Sequence, residues 1–376
     1  IILIFAFLFG YTFIIIENSD ATRYRDYYDV VSSFDLGNLF SELSKTYTIT
    51  AKFNDVYLLI LMYLSSLLNL SFQSVLGLHA VIYFWILLSI YNLVTKYAFS
   101  ATNLPKIFYV FLIGAIFIYG LSGGLTNIRF QTGFYVLLFF SLKYIFTNEK
   151  KYLIYAGLGC LVHIAVVQAF LILIAFYFFN KINSFKLKII LGLILIIVAT
   201  NLGLNDIAGL TEFEVAEEKI EDYGNENFKK SREEHTETWN WYIQVKQFAQ
   251  YYFLIVVIFI TRLFKIETNK VINSLFFLSL LFLCLSLFAG NILDSISNRY
   301  RLFFEFTALI YLFLLFANNP DKKVSKKISY IYIPILLVVL LIHLRVDSYT
   351  FDIIRLSLSP LFLFFVDEGS NIYNIF

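Results

Sequence analysis

The sequence predicts an all-α, polytopic membrane protein of roughly 10–12 transmembrane or re-entrant helices. Three observations carry that expectation. Apolar runs near 20 residues recur along the whole 376-residue chain. The composition is 59% hydrophobic, with 43 Phe and 27 Tyr, and only 15% charged, where a soluble domain holds about 25% charged residues. The cations also sort by type. When the connecting loops are assigned alternately to two sides, eight of the nine Arg fall on one side: Arg23, Arg25, Arg129, Arg232, Arg299, Arg301, Arg345 and Arg355. The other side is rich in lysine, the residue that orients membrane proteins. The net charge of +2 selects no partner, and without a concentrated basic surface a nucleic-acid partner is excluded.

The elements follow in order, within one integral membrane domain over 1–376. Residues 1–16 lack a basic flank and a small-residue cleavage site, so they read as a transmembrane helix rather than a signal peptide. Further spans are expected at 73–95, 105–121, 130–146, 186–204, 245–264, 271–290, 302–317 and 328–344. Residues 55–69 are apolar but reach only about 22 Å as a helix, which suits a re-entrant or interfacial element. Residues 152–179 form a long apolar run with Gly157, Gly159 and His163 near its middle. That run is either one tilted helix or two half-helices returning to the same side. Residues 353–366, broken by Pro360, are a further partial or full span. Two large polar loops remain, 17–54 and 205–241; within the second, 211–234 can form an amphipathic interfacial helix.

Charge bears on the two irregular elements. If 55–69 does not cross and 152–179 returns to its starting side, lysines collect in loops 96–106, 147–151, 180–188, 265–270 and 318–327. With Lys143 and Arg262 at adjoining helix ends, these loops hold fifteen Lys and Arg against three acids, Glu149, Glu267 and Asp321. If both elements cross, the lysines scatter. Broken helices at membrane depth survive where they line a cavity or are buried in protein. A cavity opening on the arginine-rich, outer side is therefore expected.

Motifs for common soluble chemistry are absent: no phosphate-binding loop, no zinc spacing, no nucleophile elbow. No cofactor or metal site is expected, and His79, His163, His235 and His343 are too dispersed for a local metal pattern. Cys160 and Cys284 lie in apolar stretches and read as core residues. The GLSGG run at 120–124 is a weak phosphate cradle and equally a flexible helix end. In the first loop, Asp20, Arg23, Tyr24, Arg25 and Asp26 gather charges and an aromatic face suited to a sugar; the plain alternative is an interfacial tyrosine belt. Arg129, Arg299 and Arg301 sit at predicted helix entrances, where guanidinium forks can neutralise a diphosphate without a metal. Tyr300 and Glu305 are grouped with them as substrate-binding candidates, although Glu305 can equally pair with Arg301 one turn away. His163, near mid-depth, is the candidate to orient or deprotonate a hydroxyl. His343 sits at a helix end and suits an interfacial role.

These residues carry a resemblance. The loop DATRYRDYYDV, the run NIRFQTGFYVLLFF, the basic TNEKK, the following YLIYAGLGCLVHIAV and the late SNRYR together resemble bacterial O-antigen and exopolysaccharide polymerases of the Wzy/EpsG type. The family's order of Arg-Phe opening a helix, then lysines, then a His falls on Arg129, Phe130 and His163. One departure is Gly133, where an Ala is expected after the Thr.

The resemblance implies a GT-C-like glycosyltransferase fold in the bacterial inner membrane, with its site on the periplasmic face. It implies undecaprenyl-pyrophosphate-linked oligosaccharide as donor and acceptor, with the growing chain moved to the non-reducing end of a new unit. Membrane lipid and a chain-length regulator protein are the other implied partners. Three alternatives stand beside it: an O-antigen ligase, a GT-C transferase using a lipid-linked sugar, and a flippase or exporter of the lipid-linked unit.

Overall fold

The structure, a computed structural model, describes residues 2–15, 20–45, 56–99, 125, 127–182, 184, 186–192, 194, 241–264, 266, 268–292, 294–319 and 323–347. The expectations for 105–121, for most of 186–204, for all but the last residue of 205–241 with its amphipathic helix, for GLSGG and for 353–366 lie outside these residues. So do His235 and the side chain of His343.

Every secondary-structure element among the described residues is a helix. They are α1 (Ile2–Tyr11), α2 (Asp20–Val31), α3 (Leu36–Lys45), α4 (Val56–Leu67), α5 (Phe72–Phe99), α6 (Ile128–Thr147), α7 (Lys151–Ala156), α8 (Leu158–Val162), α9 (Val166–Asn180), α10 (Trp241–Leu263), α11 (Lys270–Ile292), α12 (Asp294–Asn318) and α13 (Lys323–Asp347). Among the described residues, three segments, Phe72–Ala98, Lys270–Ala289 and Arg299–Asn318, are long and apolar enough to cross a membrane. The chain is thus an all-helical, polytopic membrane protein. α1 is shorter than its expected span, at ten residues, and leans on α5, where Gly10 abuts Leu76 and Ala80.

The centre is packed with aromatic rings. Lipid tails are as apolar as leucine, so close van der Waals contact holds such a bundle together. Phe134 of α6 meets Phe303 and Phe306 of α12 edge-on, at 4.4 and 5.3 Å between centroids. Phe282 of α11 closes on Phe303 at 5.0 Å, and Tyr83 of α5 meets Tyr135 at 5.3 Å. Such ring pairs add about 0.5–1.5 kcal/mol each beyond the area they bury. His79, fully buried, is bonded to the Tyr57 hydroxyl through Nδ1 at 2.8 Å and is a packing residue of the core.

The two irregular elements take the shapes that the charge pattern favours. α4 lies antiparallel to the start of α5: Tyr57 bonds His79, and Tyr28 of α2 donates to the Leu70 carbonyl in the connecting turn. Over its twelve residues it rises only about 18 Å, short of the ~30 Å hydrocarbon thickness of a bilayer. The 152–179 run is broken. α7 and α8 climb beside α6, the chain becomes extended at His163 (φ −156°, ψ 131°), and α9 descends again. Tyr152 stacks near Phe140 and Tyr177 meets Tyr144, so both ends of the run lie at the C-terminal end of α6.

The bundle thus has two unlike ends. α6 and α9 run from an arginine-bearing end to a lysine-bearing end. α5 does the same, from Phe72 beside Tyr28 to Tyr97 stacked on Phe146 at 4.5 Å. α11 runs the opposite way and α12 returns beside it.

Candidate active site

Four parts of the chain meet at the arginine-bearing end. A narrow cleft there is lined by Asp20, Tyr24, Asn127, Arg129, Phe130, His163 and Arg299. It measures about 200 Å³ with its open mouth, and about 20 Å³ inside, room for about one water.

α2 supplies the first wall. Its residues Ala21, Tyr24, Tyr28 and Val31 recur at helical spacing and form its buried stripe. The opposite face is solvated: Arg25 and Asp26 are exposed, with 4.0 Å between Nε and Oδ1. Neither lines the cleft. Asp20 does, and it also pairs with Arg23. That hydrogen bond raises the Arg23 guanidinium further above its already high ordinary pKa. The expected first loop is therefore two helices over much of its length, and only one edge of α2 faces the site.

α6 supplies the second wall. Arg129 stands in its first turn; Nε donates to the Tyr24 hydroxyl at 3.2 Å, and the guanidinium lies 5.2 Å from the centre of the same ring. The bond and the ring face together hold the cation in place. The first turn of a helix also presents backbone N–H groups without intrahelical partners and the positive end of its dipole. Asn127 occupies the N-cap and makes no capping bond with its side chain, and it enters the cleft beside Arg129. Sequence reasoning missed Asn127; its place immediately before the helix that Arg129 opens is the signal that points to it.

The break at His163 supplies the third wall. Phe130 meets the imidazole edge-on at 5.9 Å, and Arg299 lies 5.9 Å from the centre of the same Phe130 ring. His163 and Arg299 thus flank one phenyl group. A glycine pair sets this height. A Cβ at Gly133 would sit 2.8 Å from the Gly159 carbonyl oxygen, and one at Gly159 only 2.7 Å from that of Gly133. Backbone touches backbone here, so the expected Ala at 133 would push α6 and α8 apart.

α12 supplies the last wall and divides its three consecutive candidates. It begins at Asp294, well before the expected start of the span at 302, so 299–301 are already helical. Successive side chains therefore diverge by about 100°. Arg299 enters the cleft. Tyr300 is buried and donates to the Ala165 carbonyl at 3.1 Å and to Gln168, bracing the turn that follows His163. Arg301 faces away: it is 8% exposed, lies 3.7 Å from Glu305 and stacks 4.8 Å from the Tyr251 ring centre. The local Arg301–Glu305 pair is present, and neither residue lines the cleft.

The cleft therefore combines two guanidinium groups, a helix N-terminus, an imidazole and one carboxylate. Such a set can hold an anion and accept a proton next to it. Among the described residues, no three His, Cys, Asp or Glu side chains gather in a group suited to a metal ion. Residues 1–358 match the family model described as EpsG family. No curated protein and no solved structure matches the chain.

Proposed function

The chain belongs to the EpsG family, and we propose that it is a membrane glycosyltransferase that polymerises lipid-diphosphate-linked oligosaccharide units into an exopolysaccharide or O-antigen chain. The observation that carries this reading is the convergence of Arg129, Arg299, His163 and Asp20, from four separate elements, on one cleft. An undecaprenyl pyrophosphate donor would place its diphosphate at the cleft mouth, since the interior admits little more than a water.

In the proposed step an acceptor hydroxyl oxygen bonds to the anomeric carbon of the donor sugar. The bond from that carbon to the diphosphate oxygen breaks, and its electron pair leaves with the lipid diphosphate. The hydroxyl proton passes to His163, with Asp20 the second acceptor within the cleft. Negative charge grows on the departing oxygen, opposite Arg129, Arg299 and the start of α6. One oriented donor of this kind contributes roughly 3–4 kcal/mol, and a positioned base on the order of 10²–10⁴-fold. A single displacement inverts the anomeric configuration. The GT-C-like fold, the inner-membrane location and the periplasmic orientation of the cleft belong to the same proposal.

Membranes carrying Arg129→Lys or His163→Ala test it, with polymer length read at equal expression. Loss of long polymer in both is expected. Wild-type chain length in both would overturn the assignment. A purified reaction that needs no lipid A core acceptor separates a polymerase from a ligase.

A further inference from the structure

The lysine-bearing end of the bundle carries a second and larger cavity. α6 links it to the arginine cleft: from residue 129 to residue 148 the chain rises about 28 Å at ~1.5 Å per residue. That is close to the ~30 Å hydrocarbon thickness of a bilayer, so the two sites lie at opposite interfaces. The cavity has a volume of about 730 Å³, within the ~300–1,000 Å³ of small-ligand sites. Lys150, Lys181, Lys188 and Lys270 reach it from four separate segments, and no carboxylate is among the described residues that line it.

The wall is built rather than incidental. The Lys188 ammonium donates to the backbone carbonyl of Asn180 at 3.1 Å and to its Oδ1 at 3.0 Å. Ser274 donates to the same Oδ1 at 3.3 Å, tying the end of α9 to the start of α11. Asn273, also on the wall, accepts from Arg262 at 2.8 Å. Lys181 lies 4.4 Å from the ring centre of Tyr177. Lys188 and Lys270 are near enough to feel each other's charge, and gathering like charges is unfavourable without an anion between them. Beside the cavity, Phe178 is apolar and exposed, its ring centre 5.4 Å from the Lys181 ammonium.

We infer that this cavity holds the phosphate headgroup of an anionic phospholipid, of the phosphatidylglycerol or cardiolipin class, with its acyl chains lying along that apolar surface. Four ammonium groups meet the headgroup charge, and basic pockets between membrane helices recognise such lipids in this way. The apolar rim favours a lipid over a soluble anion, which would leave that surface bare. The inference rests on the bundle crossing a membrane and is independent of the polymerase reading.

The test uses the full chain purified in a non-ionic detergent. Phosphatidylglycerol or phosphatidylcholine is titrated in, and bound lipid is counted by native mass spectrometry. Retained phosphatidylglycerol, with little phosphatidylcholine, is expected. The K150Q/K181Q/K188Q/K270Q variant should bind phosphatidylglycerol at least ~10-fold more weakly, as removal of interfacial lysines requires, and the fourfold Lys→Arg variant should retain it. If the fourfold Gln variant does not fold, K181Q and K270Q singly give the same titration with smaller shifts. Equal binding of the two lipids, or no change in the Gln variants, would overturn the inference. Displacement of the lipid by millimolar inorganic phosphate would also overturn it, in favour of a soluble anion.

Discussion

The hydroxyl of Tyr24 accepts a hydrogen bond from Nε of Arg129, and the Tyr24 ring lies beneath the same guanidinium. Residues 105 positions apart thereby form one unit: α2 holds the cation that α6 presents. The bond uses one of the five guanidinium donors. In Tyr24→Phe the ring remains and the bond is lost. A hydrogen bond from a charged group contributes about 1.5–3 kcal/mol, so polymer formation should fall by roughly 10–100-fold at unchanged expression. An unaltered rate would show that Tyr24 does not position Arg129.

The contact between Gly133 and Gly159 makes a steric expectation. Gly133→Ala or Gly159→Ala drives a methyl group into a rigid backbone carbonyl. Overpacking of this kind costs roughly 1–3 kcal/mol and separates His163 from Arg129. Both variants should melt at lower temperature and lose long polymer. Gly192→Ala is the control, since its Cβ meets Leu280 and Phe277 at an ordinary 3.7 Å; it should behave as wild type.

Tyr300 supports His163 through the chain that follows it. Tyr300→Phe removes the bonds to Ala165 and Gln168 and leaves the ring packed near Phe303. Turnover should fall while the donor KM changes little, because Arg129 and Arg299 are untouched. A rise in KM alone would place the Tyr300 hydroxyl on substrate instead.

Arg301 and Glu305 test fold rather than chemistry. Both are buried, Arg301 to 8% and Glu305 to 4% exposure. Removing one partner of such a pair strands a charge, at about 3–5 kcal/mol. Arg301→Met should therefore lower the melting temperature in detergent sharply, and Arg301→Met with Glu305→Leu should restore much of it. A folded Arg301→Met with weakened donor binding would put Arg301 back in the site.

The helical class and the unlike ends of the bundle were legible because both are written one residue at a time, in apolar runs and in the choice of Lys or Arg. The return of 152–179 was legible only through charge, since hydropathy does not distinguish one long helix from two short ones. The sorting of Arg299 from Arg301 was not legible while α12 was expected to begin at 302. Two positions apart on a helix, their side chains point about 160° away from one another, so they cannot enter one cleft. Arg25 and Asp26 are lost to the site for the same reason: the loop expected at 17–54 is helical there, and Tyr24 faces inward while they face out. The glycine pair was hidden because it joins two elements, and a departure at Gly133 has no meaning until Gly159 lies against it.

The central claim is that Arg129 and Arg299 grip one diphosphate. A double-mutant cycle on the binding of undecaprenyl pyrophosphate to the purified protein tests it most directly. Charge-assisted hydrogen bonds contribute about 1.5–3 kcal/mol, so Arg129→Gln and Arg299→Gln should each weaken binding by roughly 10–100-fold. The double variant should lose less than the product of the two, because both groups act on the same anion. Unchanged affinity in the single variants, or losses that simply multiply, would contradict a shared diphosphate.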